Sequence, residues 1–148
     1  MRTSPYRRIL VLLDGTERAE RVLAWVRHLA RGSSDRIHLL MVEPAGRAVA
    51  VAGHAVAFVD QLEESARASA RAYLEPVASH LREDGLTVQT FVCFGDAGGI
   101  VRAAIEELRA DLLVLSDDAL RRDLGVVSIP VLTSGPRCRR SAIVSNGK

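Results

Sequence analysis

The sequence has few cysteines and no long apolar segment, and these two absences exclude several classes of protein. Its two cysteines, Cys93 and Cys138, form neither a disulfide framework nor a metal-ligand spacing. The apolar run of residues 9–13, preceded by arginines, is too short for the core of a signal peptide, and Asp14 ends it. No other stretch is long and apolar enough to span a bilayer. We therefore expect a cytoplasmic protein without a membrane partner.

An excess of charge of one sign is also absent. The chain carries 20 basic and 18 acidic residues, a net charge of +2, which is too small to indicate a nucleic-acid partner. With 148 residues, 48% of them hydrophobic, the chain fits one compact domain that buries roughly 68–70% of its unfolded surface.

Strand-like and helix-like patterns alternate along the chain. Apolar runs predict strands over 8–13, 37–42, 86–94, 112–115 and 129–133. Helical periodicity predicts helices over about 16–31 and 55–83, a third after Asp96, and a short helical piece near 118–124. Pro76 should kink or locally break the second helix. Strands separated by helices indicate a doubly wound α/β fold, with a parallel sheet and helices on both faces.

Three segments, in this order and spacing, resemble the universal stress protein family. They are RRILVLLDGTERAERVLAWVRHLAR (7–31), GLTVQTFVCFGDAGGIVRAAIEELRADLLVLS (85–116) and IPVLTS (129–134). The resemblance implies a single Rossmann-like, adenine-nucleotide-alpha-hydrolase-like domain over 1–136 with a five-stranded parallel sheet. Residues 137–148 follow it as a flexible tail. The resemblance also implies a homodimer paired through the last strand.

One branch of that family binds ATP or AMP with a Gly-x2-Gly-x9-Gly-Ser/Thr loop after the fourth strand, and another branch lacks the loop. Here Ser116 and Ala119 occupy the positions of the first two glycines, and Gly125 is the sole glycine before Pro130. Side chains at these positions restrict the approach of backbone N–H groups to a phosphate. The neighbouring carboxylates, Asp117 and Asp118, repel it. We therefore expect no retained ATP and no cofactor, with magnesium-bridged ATP or AMP as the alternative.

Asp14 matches the acid with which nucleotide-binding members contact the adenosine moiety. The alternative is a helix N-cap, with Glu17 completing a capping box, and we favour the cap because the rest of the nucleotide site is missing. If a nucleotide binds, the candidate residues are Asp14, Val42, Gly95 and Ser116.

Several acids could gather at the carboxyl edge of the sheet as a site for a divalent cation. They are Asp14, Asp96, Asp117 and Asp118. Because Asp96, Asp117 and Asp118 each precede a predicted helix, we favour independent helix caps and expect no metal site.

Other catalytic patterns are missing. A phosphoacceptor receiver domain would need paired acids at the end of the first strand and a lysine on the fifth strand. This chain has Leu13-Asp14 and Leu132-Thr133 at those places. Ser116 is not surrounded by a nucleophile elbow. The histidines lack ligand spacing, with two of them on helix surfaces: His28, His38, His54 and His80. We therefore expect no catalytic residue, although slow hydrolysis of ATP stays open. We interpret the chain as a regulatory or interaction domain of the stress response with an unknown protein partner.

The fifth strand is predicted to be an edge strand, because Pro130 is tolerated only at strand starts or edges. An open apolar edge invites pairing with another chain, so a homodimer should form through Ile129, Val131 and Leu132. The alternative is an edge covered by the tail, with apolar residues at 142–144.

Cys138 lies between arginines that favour its thiolate, but an inert cysteine in a tail is the better interpretation. Cys93 should belong to the core.

Overall fold

The computed structural model describes residues 6–15, 17–30, 36–44, 55–115, 122, 124–133 and 143–144, with the backbone alone for 17–20, 55–62 and 143–144. Within these ranges the elements are β1 (Arg8–Leu13), α1 (Glu17–Leu29), β2 (Arg36–Glu43), α2 (Ala55–Glu83), β3 (Thr87–Phe94), α3 (Ala97–Leu108), β4 (Leu112–Leu115), β5 (Val131–Thr133) and β6 (Ile143–Val144). The five predicted strands and the three longer predicted helices are therefore present, with ends shifted by a few residues.

The strands form one sheet in the order β3-β2-β1-β4-β5-β6. The first five of these strands are parallel, and β6 is antiparallel to β5. The chain moves outward from β1 to β3 and then crosses to β4 on the other side of β1. Because right-handed crossovers in opposite directions lie on opposite faces, α1 and α2 cover one face and α3 covers the other. The predicted doubly wound α/β fold is confirmed.

The strand β1 lies at the centre and is buried on both faces. Ile9 and Val11 pack with α1 and α2 in one apolar cluster, whereas Leu10 and Leu12 pack with α3 in the other. Alternate side chains of a strand point to opposite faces. An uninterrupted apolar run therefore results from a strand that has helices on both sides.

The helix α2 continues through Pro76 from Ala55 to Glu83, so the predicted local break is absent. Proline removes the N–H that would bond the carbonyl four residues earlier, here that of Ala72. Both residues are exposed, so water can satisfy this carbonyl. None of the helices within the described ranges has the length and apolar character needed to cross a membrane.

The connection from β4 to β5 contributes to the α3-side cluster. Leu124 and Val127 are buried there, and the guanidinium of Arg102 donates a hydrogen bond to the Leu124 carbonyl at 2.8 Å. Of the short helical piece predicted near 118–124, residues 122 and 124 are described and both are helical.

The strand β5 is not an edge strand, contrary to the prediction. It starts at Val131 rather than Ile129, and its outer side pairs with β6, with Val131 opposite Val144 and Leu132 opposite Ile143. An open edge carries unpaired backbone N–H and C=O groups, and here the same chain returns to pair with them. Two residues of the predicted tail therefore cover the strand assigned to the dimer interface, where Ile129 is half-buried and Val131 and Leu132 are buried.

Candidate functional site

Three of the four predicted nucleotide-contacting residues lie at the carboxyl edge of the sheet. Asp14 directly follows β1, Val42 lies near the end of β2, and Gly95 follows β3. The register places Leu13 beside Met41 and Val42 beside Cys93, so the three strands end level with one another. Ser116, the fourth residue, lies outside the described residues.

Gly95 lies in the bend between β3 and α3, and its backbone contacts the end of β2. Its backbone has a φ of +137°, which favours glycine, and a Cβ there would lie 3.3 Å from Ile100 Cδ1. Its N–H donates to the Glu43 carbonyl at 3.0 Å. The Gly95 N–H is thus used in joining two strands.

Asp96 is the N-cap of α3, as predicted. Its carboxylate accepts a hydrogen bond from the Gly99 N–H at 2.9 Å, and its carbonyl accepts one from the Ile100 N–H at 2.9 Å. A Cβ at residue 99 would approach the Asp96 carboxylate to 3.0 Å. The glycine therefore allows a close cap, which occupies backbone donors at this helix start.

Asp14 is exposed at the end of β1 and is followed by Gly15, whose φ is +84°. The described part of α1 begins at Glu17, and residue 16, between Gly15 and this helix, lies outside the described residues. The role of Asp14 as the N-cap of α1 therefore stays a prediction.

The described part of this edge is acidic, because Asp14, Glu43 and Asp96 lie there. Among the described residues, no group of three or more His, Cys, Asp or Glu side chains is placed to hold a metal ion. Asp117 and Asp118, which complete the proposed acidic crevice, lie outside the described residues.

One guanidinium is held near the same edge. Arg67 of α2 lies over the ring of Phe94, the last residue of β3, with its Cζ 5.0 Å from the ring centroid. This cation–π contact places positive charge one residue before Gly95. The pattern of residues in α2 does not reveal it, because the contact joins residues 27 positions apart in the chain.

His38 is a buried titratable residue whose burial the sequence analysis did not predict. It is 5% exposed in β2, with its ring centroid 5.8 Å from that of Phe91. Burial lowers its pKa from the usual 6.5, the guanidinium groups of Arg36 and Arg8 lower it further, and a hydrogen bond with Gln89 opposes them. The signal was a histidine inside a continuous apolar strand, a pattern that places its ring against the core.

The remaining predictions divide between described and undescribed residues. His28 and His80 are exposed on helices, as expected, and Cys93 is half-buried against the α3-side cluster. His54 and Cys138 lie outside the described residues.

Comparison with known proteins supplies the family. A sequence model described as the universal stress protein family matches residues 5–128. Universal stress protein Sll1388 of Synechocystis sp. is 28% identical over 126 residues, which covers 78% of this chain and 81% of that relative.

Solved structures share the fold at low sequence identity. Hypothetical protein MJ0577 superposes with a TM-score of 0.78 at 17% identity, covering 90% of this chain and 99% of its own. A universal stress protein family protein from Arabidopsis thaliana, solved with AMP bound, superposes with a TM-score of 0.62 at 17% identity. The match covers 88% of this chain and 92% of the Arabidopsis chain.

Proposed function

Because the chain belongs to the universal stress protein family, we propose that it is a regulatory or interaction domain of the stress response that does not retain ATP. The observation that carries this proposal is the state of the backbone donors at the carboxyl edge of the sheet. The N–H groups of Gly95, Gly99 and Ile100 all donate to acceptors of the chain itself.

A phosphate site requires the opposite arrangement, in which several backbone N–H groups point at the anion. Before these donors could bind a phosphate, the bonds to the Glu43 carbonyl and to Asp96 would have to break. The Asp96 carboxylate at the start of α3 would in addition repel the anion. The edge of the sheet is therefore better suited to stabilising the domain than to holding a nucleotide.

The sequence after β4 supports the same proposal. Ser116 and Ala119 stand where the nucleotide-binding branch has glycines, and Asp117 and Asp118 add two negative charges. Like charges near a protein surface repel by several kcal/mol at contact distances, on the order of 4 kcal/mol at 4 Å.

Isothermal titration with ATP and with AMP, each with and without magnesium, tests this proposal. We expect no saturable binding with a Kd below about 1 mM, which corresponds to a binding free energy of roughly −4 kcal/mol. In the matched variant Asp117→Asn/Asp118→Asn, loss of the repulsion should strengthen any residual binding. A micromolar Kd for the unmodified chain would overturn the proposal.

A second candidate function, an AMP or ATP sensor, is favoured by Arg67. Its guanidinium lies over Phe94 at the end of β3, one residue before Gly95, and can neutralise a phosphate. Asp14 is exposed at the end of β1, on the same edge of the sheet. This candidate predicts binding that Arg67→Ala weakens and that Arg71→Ala, an exposed arginine of the same helix, does not. If magnesium bridges the phosphates to the acids after β4, chelation of the metal should abolish binding.

The regulatory role has its own test. A strain that lacks the gene should survive starvation or oxidative stress less well than its parent, and a copy carrying Asp14→Ala should restore survival fully. Failure of that copy would favour the nucleotide sensor.

A further inference from the structure

The strand β3 lies at the end of the sheet opposite to β6. It pairs with β2 along its eight residues, and within the ranges that the structure describes no strand pairs with its other side. Its sequence, TVQTFVCF, contains no charged residue and no proline. Edge strands usually carry such residues to prevent pairing with another chain, so β3 is open to pairing.

The hydrogen bonds near β3 show which of its backbone groups point outward. In a strand, the N–H and C=O groups of one residue point to one side, and those of the next residue point to the other. Gly95, directly after β3, directs its N–H toward β2 and donates to the Glu43 carbonyl. The Val88 carbonyl instead accepts from the Arg82 guanidinium at 2.8 Å. The even-numbered residues of β3 therefore direct their backbone groups away from β2.

Three of these residues form what we call the β3 edge: Thr90, Val92 and Phe94. Because Arg82 covers the carbonyl of Val88, the β3 edge begins one even position later in the strand. An antiparallel strand placed along it, with Val92 at the centre, would exchange about six N–H···O=C hydrogen bonds with it.

The helix α2 places opposite charges at the two ends of the β3 edge. At one end, Arg67 lies over the ring of Phe94 and forms no ion pair with any described side chain. At the other end, the Glu75 carboxylate lies 3.5 Å from the Thr90 hydroxyl and 3.5 Å from the Arg82 guanidinium. These distances are at the long limit of a hydrogen bond, so the carboxylate can accept a shorter bond from another guanidinium.

A second copy of the chain matches this arrangement of charge. If a two-fold axis passes beside Val92, Phe94 of each copy lies opposite Thr90 of the other, with Cα atoms about 4.5–5.5 Å apart. Arg67 of each copy then lies beside Glu75 of the other, so two equivalent ion pairs form. An extended peptide could form the same backbone bonds, but it would need both charges at this spacing, which the chain itself provides.

The helices leave room for this pairing. The helix α1 packs over β1 and β4, and α2 packs over β2 and β3, so neighbouring helices on this face are two strands, or about 10 Å, apart. The helix α2 of a second copy would lie two strands beyond the first α2. That spacing is within the range of roughly 8–10 Å between packed helices.

The charges select the partner more than they add affinity. Arg71, midway between Arg67 and Glu75 on α2, would approach its own counterpart at the two-fold axis, and ion pairs between exposed side chains are weak. Affinity would come from the backbone bonds and from burial of Phe91 and Cys93, which are half-buried in one chain. The ion pairs fix the register of the two strands.

From this arrangement we propose that the β3 edge is a homodimer interface, in which two β3 strands pair antiparallel and Arg67 of each copy pairs with Glu75 of the other. The interface does not involve β5, whose outer side is occupied by β6.

Charge reversal tests the pairing. Sedimentation velocity of the full chain should show a dimer with a Kd on the order of 10 μM. Arg67→Glu and Glu75→Arg should each raise the Kd at least about tenfold, because like charges then face each other twice. In a one-to-one mixture of these two variants every facing pair is opposite in charge, so the Kd should return to within about threefold of the wild-type value.

The matched control is Glu83→Arg, a charge reversal at an exposed position at the end of the same helix. It should leave the Kd unchanged. Circular dichroism establishes that each variant is folded.

Amide exchange measured by NMR locates the interface. At a concentration on the order of 200 μM, the amides of Thr90, Val92 and Phe94 should exchange about threefold more slowly in the wild-type chain than in Arg67→Glu. The amides of Phe91 and Cys93, which point toward β2, should exchange equally in both.

Four results would overturn the proposal. A wild-type chain that is monomeric at about 200 μM excludes the dimer. A Kd indifferent to both charge reversals places the dimer elsewhere, such as at β5. A mixture that does not recover the Kd excludes the pairing of Arg67 with Glu75. Equal exchange of the β3 edge in wild type and Arg67→Glu shows that the edge is not buried by a second copy.

Discussion

Asp111 and Arg8 are joined by hydrogen bonds in both directions. The Arg8 N–H donates to the Asp111 carboxylate at 3.0 Å, and the Asp111 N–H donates to the Arg8 carbonyl at 2.8 Å. The second carboxylate oxygen accepts from the Arg7 N–H at 2.9 Å. One side chain therefore fixes the start of β1 against the start of β4.

Asp111→Ala should lower the free energy of unfolding by about 1–3 kcal/mol, because two backbone donors lose a charged acceptor. Asp111→Asn, which keeps one acceptor oxygen, should lose less. Urea denaturation of both variants measures the difference. Equal losses for alanine and asparagine would contradict this account of the carboxylate.

The cap of α3 predicts a smaller effect. Asp96→Ala should cost about 1 kcal/mol, and Asp96→Ser should cost little, since a serine hydroxyl can also accept from the Gly99 N–H. Glu107→Ala, an exposed change in the same helix, serves as the control in thermal denaturation. A serine variant as unstable as the alanine variant would show that Asp96 acts in some other way.

His38 predicts a loss of stability in acid. Its pKa is lower in the folded chain than the usual 6.5, so below that pH the unfolded chain binds the proton more readily. The free energy of unfolding should therefore fall as the pH drops below about 6.5, and NMR titration of the imidazole should place its pKa below that of a free histidine.

The matched variants for this prediction are His38→Leu and His80→Leu. Removal of His38 should flatten the pH dependence of the free energy of unfolding, and the control is His80→Leu, which removes an exposed histidine of α2. A His38 resonance that titrates at or above the ordinary value would contradict the lowering of its pKa that is assigned to burial and to the guanidinium groups of Arg36 and Arg8.

Pairing of β6 with β5 predicts that association is held back in the full chain. The double variant Ile143→Pro/Val144→Pro removes both N–H groups of β6 and should raise the dimer fraction in analytical ultracentrifugation, because β5 then offers an open edge. The double alanine variant, which keeps both N–H groups, is the control. A wild-type dimer that the proline variant does not strengthen would contradict competition between β6 and a second chain.

The sequence predicted the central strands well and the outer edge poorly. The bounds of β1 and β4 are those expected, because strands buried on both faces have continuous apolar runs that end abruptly. The third helix, predicted to follow Asp96, likewise begins at Ala97. By contrast, β6 is two residues long, and the apolar residues at 142–144 indicated this cover of β5 only as the alternative to an open dimer edge.

The carboxyl edge was predicted in position but not in bonding. The ends of parallel strands must meet at one edge, so Asp14, Val42 and Gly95 were placed together correctly. The use of the Gly95 N–H by the Glu43 carbonyl depends on the register between β2 and β3. That register is not encoded in any short stretch of sequence.

The central position of β1 has a consequence for the kinetics of folding. Its neighbour β4 pairs with it through residues such as Arg8 and Asp111, which are 103 positions apart, and closing a loop of that length costs about 4 kcal/mol in chain entropy. During synthesis, β1 can join β2 early, but one of its edges has no strand to pair with until β4 has left the ribosome. We therefore expect slow folding dominated by long-range contacts, with the apolar centre of the sheet completed only after β4 has been synthesised.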